Sequence, residues 1–501
     1  MDAITLGIDL ATASARCVAL DALTGQTLAT AAALLPAPVR SAGGVSRQTS
    51  DYARVACTVI SHVCRDLGSA AKRVRALSLT GTSGTVVPCA SDASPLGDAR
   101  LYDDSSSAAD VSARGLGGAS SLGRMLSLDR EFRVSSGHGP ALMLSTVDVA
   151  AAALVGTVVA SDTSHALKAG IDLGRRRWPV EAMAAIGLST VGLPELVLPG
   201  QVLGIVSSST AAALGLPVDV VVVAGMTDGC TAQLSTGAVH PGDTMGVLGT
   251  TLVLKAVSAD ELTTPDGAVY SHLSPSGDFW PGGASSSGAG VLDAEFAGRD
   301  LADLDRAAAV RGPSTVVRYP LARAGERFPV ADPSLQSVTS GEPLDEVDAY
   351  RAVLEGVAFV ERLGVETLTR LGIRPSRHTI TGGASRSATW NTVRSTVLTP
   401  VLTRPLAGPL GAGPLGRGRG ALTGSGVVHA LTGGSAVGAA ILAAHAIARA
   451  TTGDAPHLNE TVDRLVATAV PVAPDCSEAV RLERSYAVFL ALLDARTRSS
   501  R

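Results

Sequence analysis

Aromatic residues are scarce in this chain, 3% of 501 residues, and there are only six cysteines. Cys17, Cys57, Cys64, Cys89, Cys230 and Cys476 are scattered, with no Cys–x–x–Cys pair. That spacing argues against a structural zinc site or a disulfide framework and points to reduced thiols in a cytoplasmic protein. Charge of one sign is also missing: the formal net charge is −4, with no basic cluster, so nucleic acid is not an expected partner. The nearest approach to a membrane span, residues 141–160, carries Asp148 and several small polar residues and reads as a buried helix, not a membrane anchor. The opening residues MDAITLGIDL lack a basic leader and read as a strand.

What remains is 46% hydrophobic and rich in Ala, Gly and Val, the composition of a folded α/β protein. A chain of this length exceeds one hydrophobic core, so two domains are expected. Apolar runs at Ile4–Ile8 and Cys17–Leu20 flank a small-residue turn and read as a β-hairpin. Val55, Val59, Ile60, Val63 and Leu67 fall at helical spacing, with Ser50 or Asp51 as the cap. Strands are expected at Val74–Thr80, Thr85–Cys89 and Val218–Ala224, and helices over 142–158 and 207–215. After Pro241–Gly242–Asp243 the plan starts again: Met245–Leu248, the turn Gly249–Thr250–Thr251, then Leu252–Val257. This echo sets the boundary, with domains over 1–241 and 242–501 and a cleft between them. Farther on come a long helix over 343–371, a strand Arg377–Ile380, and helices at Ser435–Ala450 and around 476–496. The Gly-rich stretch 406–434 contains Gly411–x–Gly413–x–x–Gly416, but Pro414 interrupts it and no strand precedes it, so it reads as a surface loop.

Five features carry chemistry. Asp228 follows a run of buried β-formers in the turn Gly225–Met226–Thr227–Asp228–Gly229. It is placed either as a general base for a hydroxyl or as the N-cap of a helix over 229–236. Small-residue hairpins at Ala11–Thr12–Ala13–Ser14 and Gly249–Thr250–Thr251 offer backbone N–H groups and hydroxyls at phosphate-binding range; singly, each is an ordinary β-turn. Asp9, just after its strand, is either a carboxylate on the metal side or a local turn residue. Ser83, between Gly81 and Gly84, is either a sugar-hydroxyl partner or an incidental turn hydroxyl. The turn Gly382–Gly383–Ala384–Ser385 admits a flat ring against backbone or simply joins strand to helix. Together these parts fit ATP-dependent phosphorylation of a small alcohol, which needs phosphate donors, a divalent metal and a group that takes the hydroxyl proton.

In this order the segments GIDLATASAR, LSLTGTSGTVVPC, AGMTDGCTAQLSTGAVHPGD, GVLGTTLVLK, TGGASRSATW and GSAVGAAILAA resemble the FGGY carbohydrate kinases. Within that family TGTSGTVV, LYDDS, SHALKAG, YSH and YPLARAGERFPVADP are most similar to the D-ribulose kinase, xylulokinase-like subgroup of cyanobacteria and plants. The resemblance implies two actin-like (ribonuclease H-like) α/β domains, the first binding sugar and the second nucleotide. It implies ATP and Mg²⁺ as cofactors, a small sugar as substrate, and a monomer or homodimer without nucleic-acid or membrane partners. It assigns Asp228 as base; Ser83, Asp228 and Asp9 to the sugar; Asp9 to the metal; and Thr12, Arg16, Gly249, Thr250, Thr251, Gly382, Gly383 and Ala384 to ATP. The expected reaction converts D-ribulose to D-ribulose 5-phosphate. D-xylulose is the alternative substrate, and a non-kinase actin-like ATPase or degenerate nucleotide-binding protein the alternative class. The chain departs from the family at Ala11, which would cost roughly 1 kcal/mol if the position needs positive φ. It also departs at Ala384 and Ser387, and in LYDDSS where Trp–x–Asp–x–Arg is usual.

Overall fold

The computed structural model describes residues 2–41, 43–107, 120–188, 191–403, 427–429, 434–451, 457–466 and 469–499. The chain divides into two compact units. The first comprises Met1–Gly237, His272–Asp278 and Gly433–Ala467; the second comprises Ala238–Ser271, Phe279–Thr432 and Thr468–Arg501. The segment from Gly433 packs with the first unit.

The sheet of the first unit runs in the order Val202–Ile205, Val221–Val223, Val74–Gly81, Ile4–Leu10, Ser14–Asp21, Thr27–Leu34. Strand Ile4–Leu10 pairs antiparallel with Ser14–Asp21 and parallel with Val74–Gly81. Alternation along it sorts its side chains to two faces. Ile4, Leu6, Ile8 and Leu10 join Tyr52, Val55, Val59, Ile60 and Val63 of helix Ser50–Leu67 in one core. Thr5 and Gly7 face helix Ser435–Thr451: the Thr5 hydroxyl donates to the Ala440 carbonyl at 2.9 Å. A Cβ on Gly7 would stand 1.8 Å from the Ala436 carbonyl oxygen, so the helix lies directly on the strand backbone. The N-cap of helix Ser50–Leu67 is Thr49, one residue before the expected cap, and no side chain caps it. The segment expected to be helical over 142–158 opens as strand Leu142–Leu144 and then forms helix Thr146–Val155. Asp148 is not a stray charge there. It completes a capping box with Ser145 and accepts from the Ser161 hydroxyl at 2.9 Å. Among the described residues no helix is long and apolar enough to cross a membrane.

In the second unit neighbouring strands run Phe279–Ala284, Leu252–Ala256, Asp243–Leu248, Arg377–Thr381, Val427–His429, Val470–Val472. Asp243–Leu248 pairs antiparallel with Leu252–Ala256 and parallel with Arg377–Thr381. This repeats the first unit's hairpin-plus-parallel-strand plan. Helix Glu346–Arg370, buried along most of its length, packs against strand Leu252–Ala256 with Val353, Val357, Phe359 and Val360 in the core. It also carries Glu361, which takes a bidentate ion pair from Arg394 (2.6 Å on each oxygen) and contacts His378 Nε2 at 3.1 Å. Burial opposes this charge, but Arg394 outweighs burial and holds the Glu361 carboxyl down at about 2. Part of the Gly-rich stretch is no loop: Val427–His429 is a strand between Arg377–Thr381 and Val470–Val472. The Gly411–Gly416 motif lies outside the described residues.

Candidate functional site

In the first unit three parallel strand ends stand side by side. Asp9 is paired in register with Thr80, and Gly81 bridges to Thr227, the residue before Asp228. The Thr80 hydroxyl joins the ends by donating to the Met226 carbonyl at 2.7 Å and contacting the Thr231 hydroxyl at 2.9 Å. Asp9, the Gly81–Gly84 turn and Asp228 thus cluster at the carboxyl ends of adjacent strands, where open α/β sheets place ligands.

Asp228 is the first residue of helix Asp228–Thr236, and Thr227 is the N-cap. The cap reading of Asp228 is corrected accordingly, although its Oδ1 does accept from the Gly229 amide at 2.7 Å. Its backbone is fixed from several sides. Ser164 Oγ receives the Thr227 N–H at 3.1 Å and contacts His272 Nδ1 at 3.0 Å. The Ser435 hydroxyl donates to the Asp228 carbonyl at 3.1 Å. At Gly438 helix Ser435–Thr451 touches the turn of Asp228: a Cβ there would sit 1.7 Å from the Thr231 carbonyl oxygen. Gly438→Ala should therefore destabilise by roughly 1–3 kcal/mol or more, as overpacking does, and displace Asp228. An unchanged urea midpoint would contradict this contact.

Asp9 is 8% exposed, and its Oδ1 has no hydrogen-bond partner among the described residues. Burial, then the negative charge of Asp228, push its pKa up to about 7; Arg16, its cross-strand partner, pulls the other way. Exposed Arg16 and half-buried Thr12 lie on the same hairpin, where Arg47 Nη2 grips the Thr12 carbonyl at 2.7 Å. The turn closes with the Ala11 N–H on the Ser14 carbonyl at 3.1 Å. Ala11 is not among the residues with positive φ, so the anticipated strain does not arise. An unpartnered buried carboxylate oxygen beside a second carboxylate suits a hard divalent cation. Among the described residues no group of three or more His, Cys, Asp or Glu side chains could hold a metal. A cation here would keep most of its water and take further oxygens from a phosphate, as Mg²⁺ does.

Ser83 is half-buried in a turn that distant side chains hold by three of its carbonyls. His165 Nε2 lies 3.3 Å from the Gly81 carbonyl, Lys168 Nζ donates to that of Ser83 at 3.2 Å, and Arg124 Nε to that of Gly84 at 2.7 Å. His165 Nδ1 is 2.6 Å from Asp162 Oδ2, so both ring nitrogens face acceptors. Burial disfavours the imidazolium, but Asp162 and Asp148 together with these bonds raise the His165 pKa. A small pocket opens beside the turn, lined among others by Gly84, Met125, Met143, Asp148, His165 and Trp178. In the sequence SHALKAG bears only on the family resemblance, and none of His165, Lys168 and Arg124 is marked as a functional residue. Each acts on backbone from a distant segment, which leaves no local pattern.

The second unit holds the remaining candidates. Gly249 and Thr251 are half-buried and Thr250 exposed. The Gly249 and Thr250 carbonyls accept from Ala289 and Gly290 N–H at 2.9 and 3.0 Å, leaving the amides and hydroxyls of both threonines outside this network. Gly382 (φ 100°) packs against the same strand end; a Cβ would lie 2.4 Å from the Leu248 carbonyl oxygen. The turns 249–251 and 382–384 are therefore neighbours. Gly383 and Ala384 follow in a 3₁₀ turn, Gly383–Arg386, and Ala384 carries no positive φ. Ser387 donates to Asp305 at 2.7 Å and accepts from the Trp390 N–H at 2.9 Å, doing structural work at the helix start.

The fold matches solved sugar kinases end to end. A xylulose kinase from Brucella ovis superposes with a TM-score of 0.83 at 22% identity, covering 99% of both chains. One from Rhodospirillum rubrum gives 0.81 at 23% identity, covering 98% of each. The two α/β units are thus actin-like, the fold class expected from the sequence. Residues 245–447 match the C-terminal domain of the FGGY family of carbohydrate kinases. The chain carries that FGGY domain. By sequence it is 31% identical over 241 residues to the Escherichia coli xylulose kinase, covering 46% of this chain and 49% of the relative. It is 27% identical over 205 residues to a Mycolicibacterium smegmatis ribulokinase, covering 37% and 36%. The matched region thus spans about half or less of these curated relatives.

Proposed function

We propose that the protein is an ATP- and Mg²⁺-dependent kinase that converts D-ribulose to D-ribulose 5-phosphate inside the cell, as a monomer or homodimer. The observation that carries this reading is the pairing of Asp228 with a buried, unpartnered Asp9 oxygen beside the Gly81–Gly84 turn. The FGGY domain and the kinase names of the relatives support it. In this reading residues 1–241 supply the sugar side and 242–501 the nucleotide side. Ser83 and Asp228 hold the ketose. Asp228 accepts the proton of the C5 hydroxyl as that oxygen bonds to the γ-phosphorus, while the bond from γ-phosphorus to the bridging oxygen breaks and ADP leaves. Full proton transfer need not precede attack, so an ordinary carboxylate suffices. Asp9, on the metal side, would hold Mg²⁺, which neutralises phosphate charge when bound. Thr12 and Arg16 approach the phosphates from the first hairpin. Gly249, Thr250 and Thr251 face the β- and γ-phosphates, and Gly382, Gly383 and Ala384 flank adenine.

D-xylulose is the second reading, favoured by the names of the relatives; the two ketoses differ at one stereocentre. A coupled ADP-release assay with Mg-ATP tests both against L-ribulose, ribitol, glycerol and no sugar. Stimulation at least tenfold above the no-sugar rate by D-ribulose is expected. A preference for D-xylulose would replace the substrate, and a sugar-independent rate would favour a non-kinase ATPase.

A further inference from the structure

The long motif YPLARAGERFPVADP has no role in the reaction just described, yet it contains a buried carboxylate. Glu326 is 3% exposed and receives five donors, the longest from the Phe328 N–H to Oε1 at 3.5 Å. Ser286 and Arg327 N–H reach Oε1 at 2.6 and 2.8 Å; the Ser285 and Tyr319 hydroxyls reach Oε2 at 2.7 and 2.8 Å. Its own backbone is fixed by reciprocal bonds with Asp332 at 2.8 and 3.0 Å.

The other end of this network is the turn Gly249–Thr250–Thr251. Ser285 Oγ, while donating to Glu326, accepts from the Ser287 N–H at 2.9 Å. The Ser287 carbonyl accepts from Leu252 N–H at 2.8 Å, and Ser285 N–H donates back to the Leu252 carbonyl at 2.8 Å. Ala289 and Gly290 then take the Gly249 and Thr250 carbonyls. Backbone contact is close throughout: a Cβ on Gly288 would lie 2.6 Å from both the Thr250 oxygen and the Thr251 Cα. Arg327 Nη2 adds a bond to the Ser285 carbonyl at 3.2 Å.

We propose that Glu326 is a positioning residue that, through Ser285–Gly290, sets the backbone of the Gly249–Thr251 turn for the nucleotide phosphates. This rests on the kinase reading above. The chemistry explains why a carboxylate stands there. Three amides and two hydroxyls converge, and a carboxylate accepts all five, whereas a glutamine offers one acceptor oxygen and an NH₂ that must face donors. With the turn's carbonyls tied back, the Thr250 and Thr251 amides are presented without reorganisation when phosphate arrives.

Steady-state kinetics and amide hydrogen exchange on full-length Glu326→Gln test this. The expected result is a roughly tenfold higher KM for ATP and a similar drop in kcat, with KM for the ketose within about twofold. Exchange in the 249–252 segment should accelerate at least about tenfold, while that of strand Ile4–Leu10 stays unchanged. Ser285→Ala, which leaves the carboxylate in place, should shift the same quantities by a smaller factor. Unchanged KM for ATP and unchanged exchange at 249–252 would overturn the proposal. So would equal rises in both KM values with faster exchange everywhere, the mark of general loosening. Wild-type protein that transfers no phosphate to any sugar would overturn the kinase reading instead, and the exchange data would still decide whether Glu326 holds this turn.

Discussion

Asp228→Asn should lose about 10²–10⁴-fold in kcat, the range that a positioned general base contributes, with ATP binding within about threefold of wild type. The isostere keeps the helix start, because the Thr227 cap, the Ser164 bond and the Ser435 bond involve backbone that the change does not touch. What it removes is a site that can take a proton. A second consequence follows from the Asp9–Asp228 repulsion. Without the Asp228 charge, Asp9 should titrate below its present value of about 7. Single-turnover kinetics with fluorescent nucleotide titration separates the two effects. Retention of more than about a tenth of wild-type turnover would rule out Asp228 as the base.

Asp9→Asn should make the metal-free protein more stable while abolishing most Mg²⁺-dependent turnover. The folded pKa of Asp9 is raised from 3.8 to about 7, chiefly by burial. Between those values the folded state holds a proton that the unfolded state has released, so this group's contribution falls as pH rises. Above pH 7 the loss levels off, at no more than roughly 4 kcal/mol by linkage. Asparagine removes that cost. The gain should therefore be small near pH 4, grow through pH 5–7 and be largest at pH 8, read from urea unfolding of both proteins in EDTA. A buried charge kept at the expense of stability is the pattern expected of a functional carboxylate. A wild-type protein as stable as the variant at pH 8 would contradict this, as would undiminished Mg²⁺-dependent activity.

Much of the architecture was legible because buried strands and amphipathic helices announce themselves by periodicity. The two hairpins, helix Ser50–Leu67 and strand Arg377–Thr381 fall within a few residues of their expected bounds. Caps were not legible at that precision. Thr49 and Thr227 occupy positions that the pattern gave to their neighbours, because one residue's φ and ψ decide the matter. Nor could a linear reading see the return of Gly433–Ala467 to the first unit. Its apolar helix fits either unit by composition, and Gly7 and Gly438 reveal the choice only through close backbone contact. In the candidate site Asp9 and Asp228 stood out because each follows a run of buried β-formers. Their proximity did not, nor did the side chains that hold the Gly81–Gly84 turn or the carboxylate at Glu326. Those act on backbone atoms 40 or more residues away. The departure at Ala11 read as strain only because a glycine's usual reason, positive φ, was assumed for that position.

Phosphorus-31 NMR of D-ribulose incubated with the protein and Mg-ATP addresses the central claim most directly, since it distinguishes transfer from hydrolysis. The expected spectrum shows a new phosphate monoester coupled to the C5 protons, growing in step with ADP and absent with Asp228→Asn. Growth of inorganic phosphate alone, at a rate indifferent to the sugar, would contradict the account.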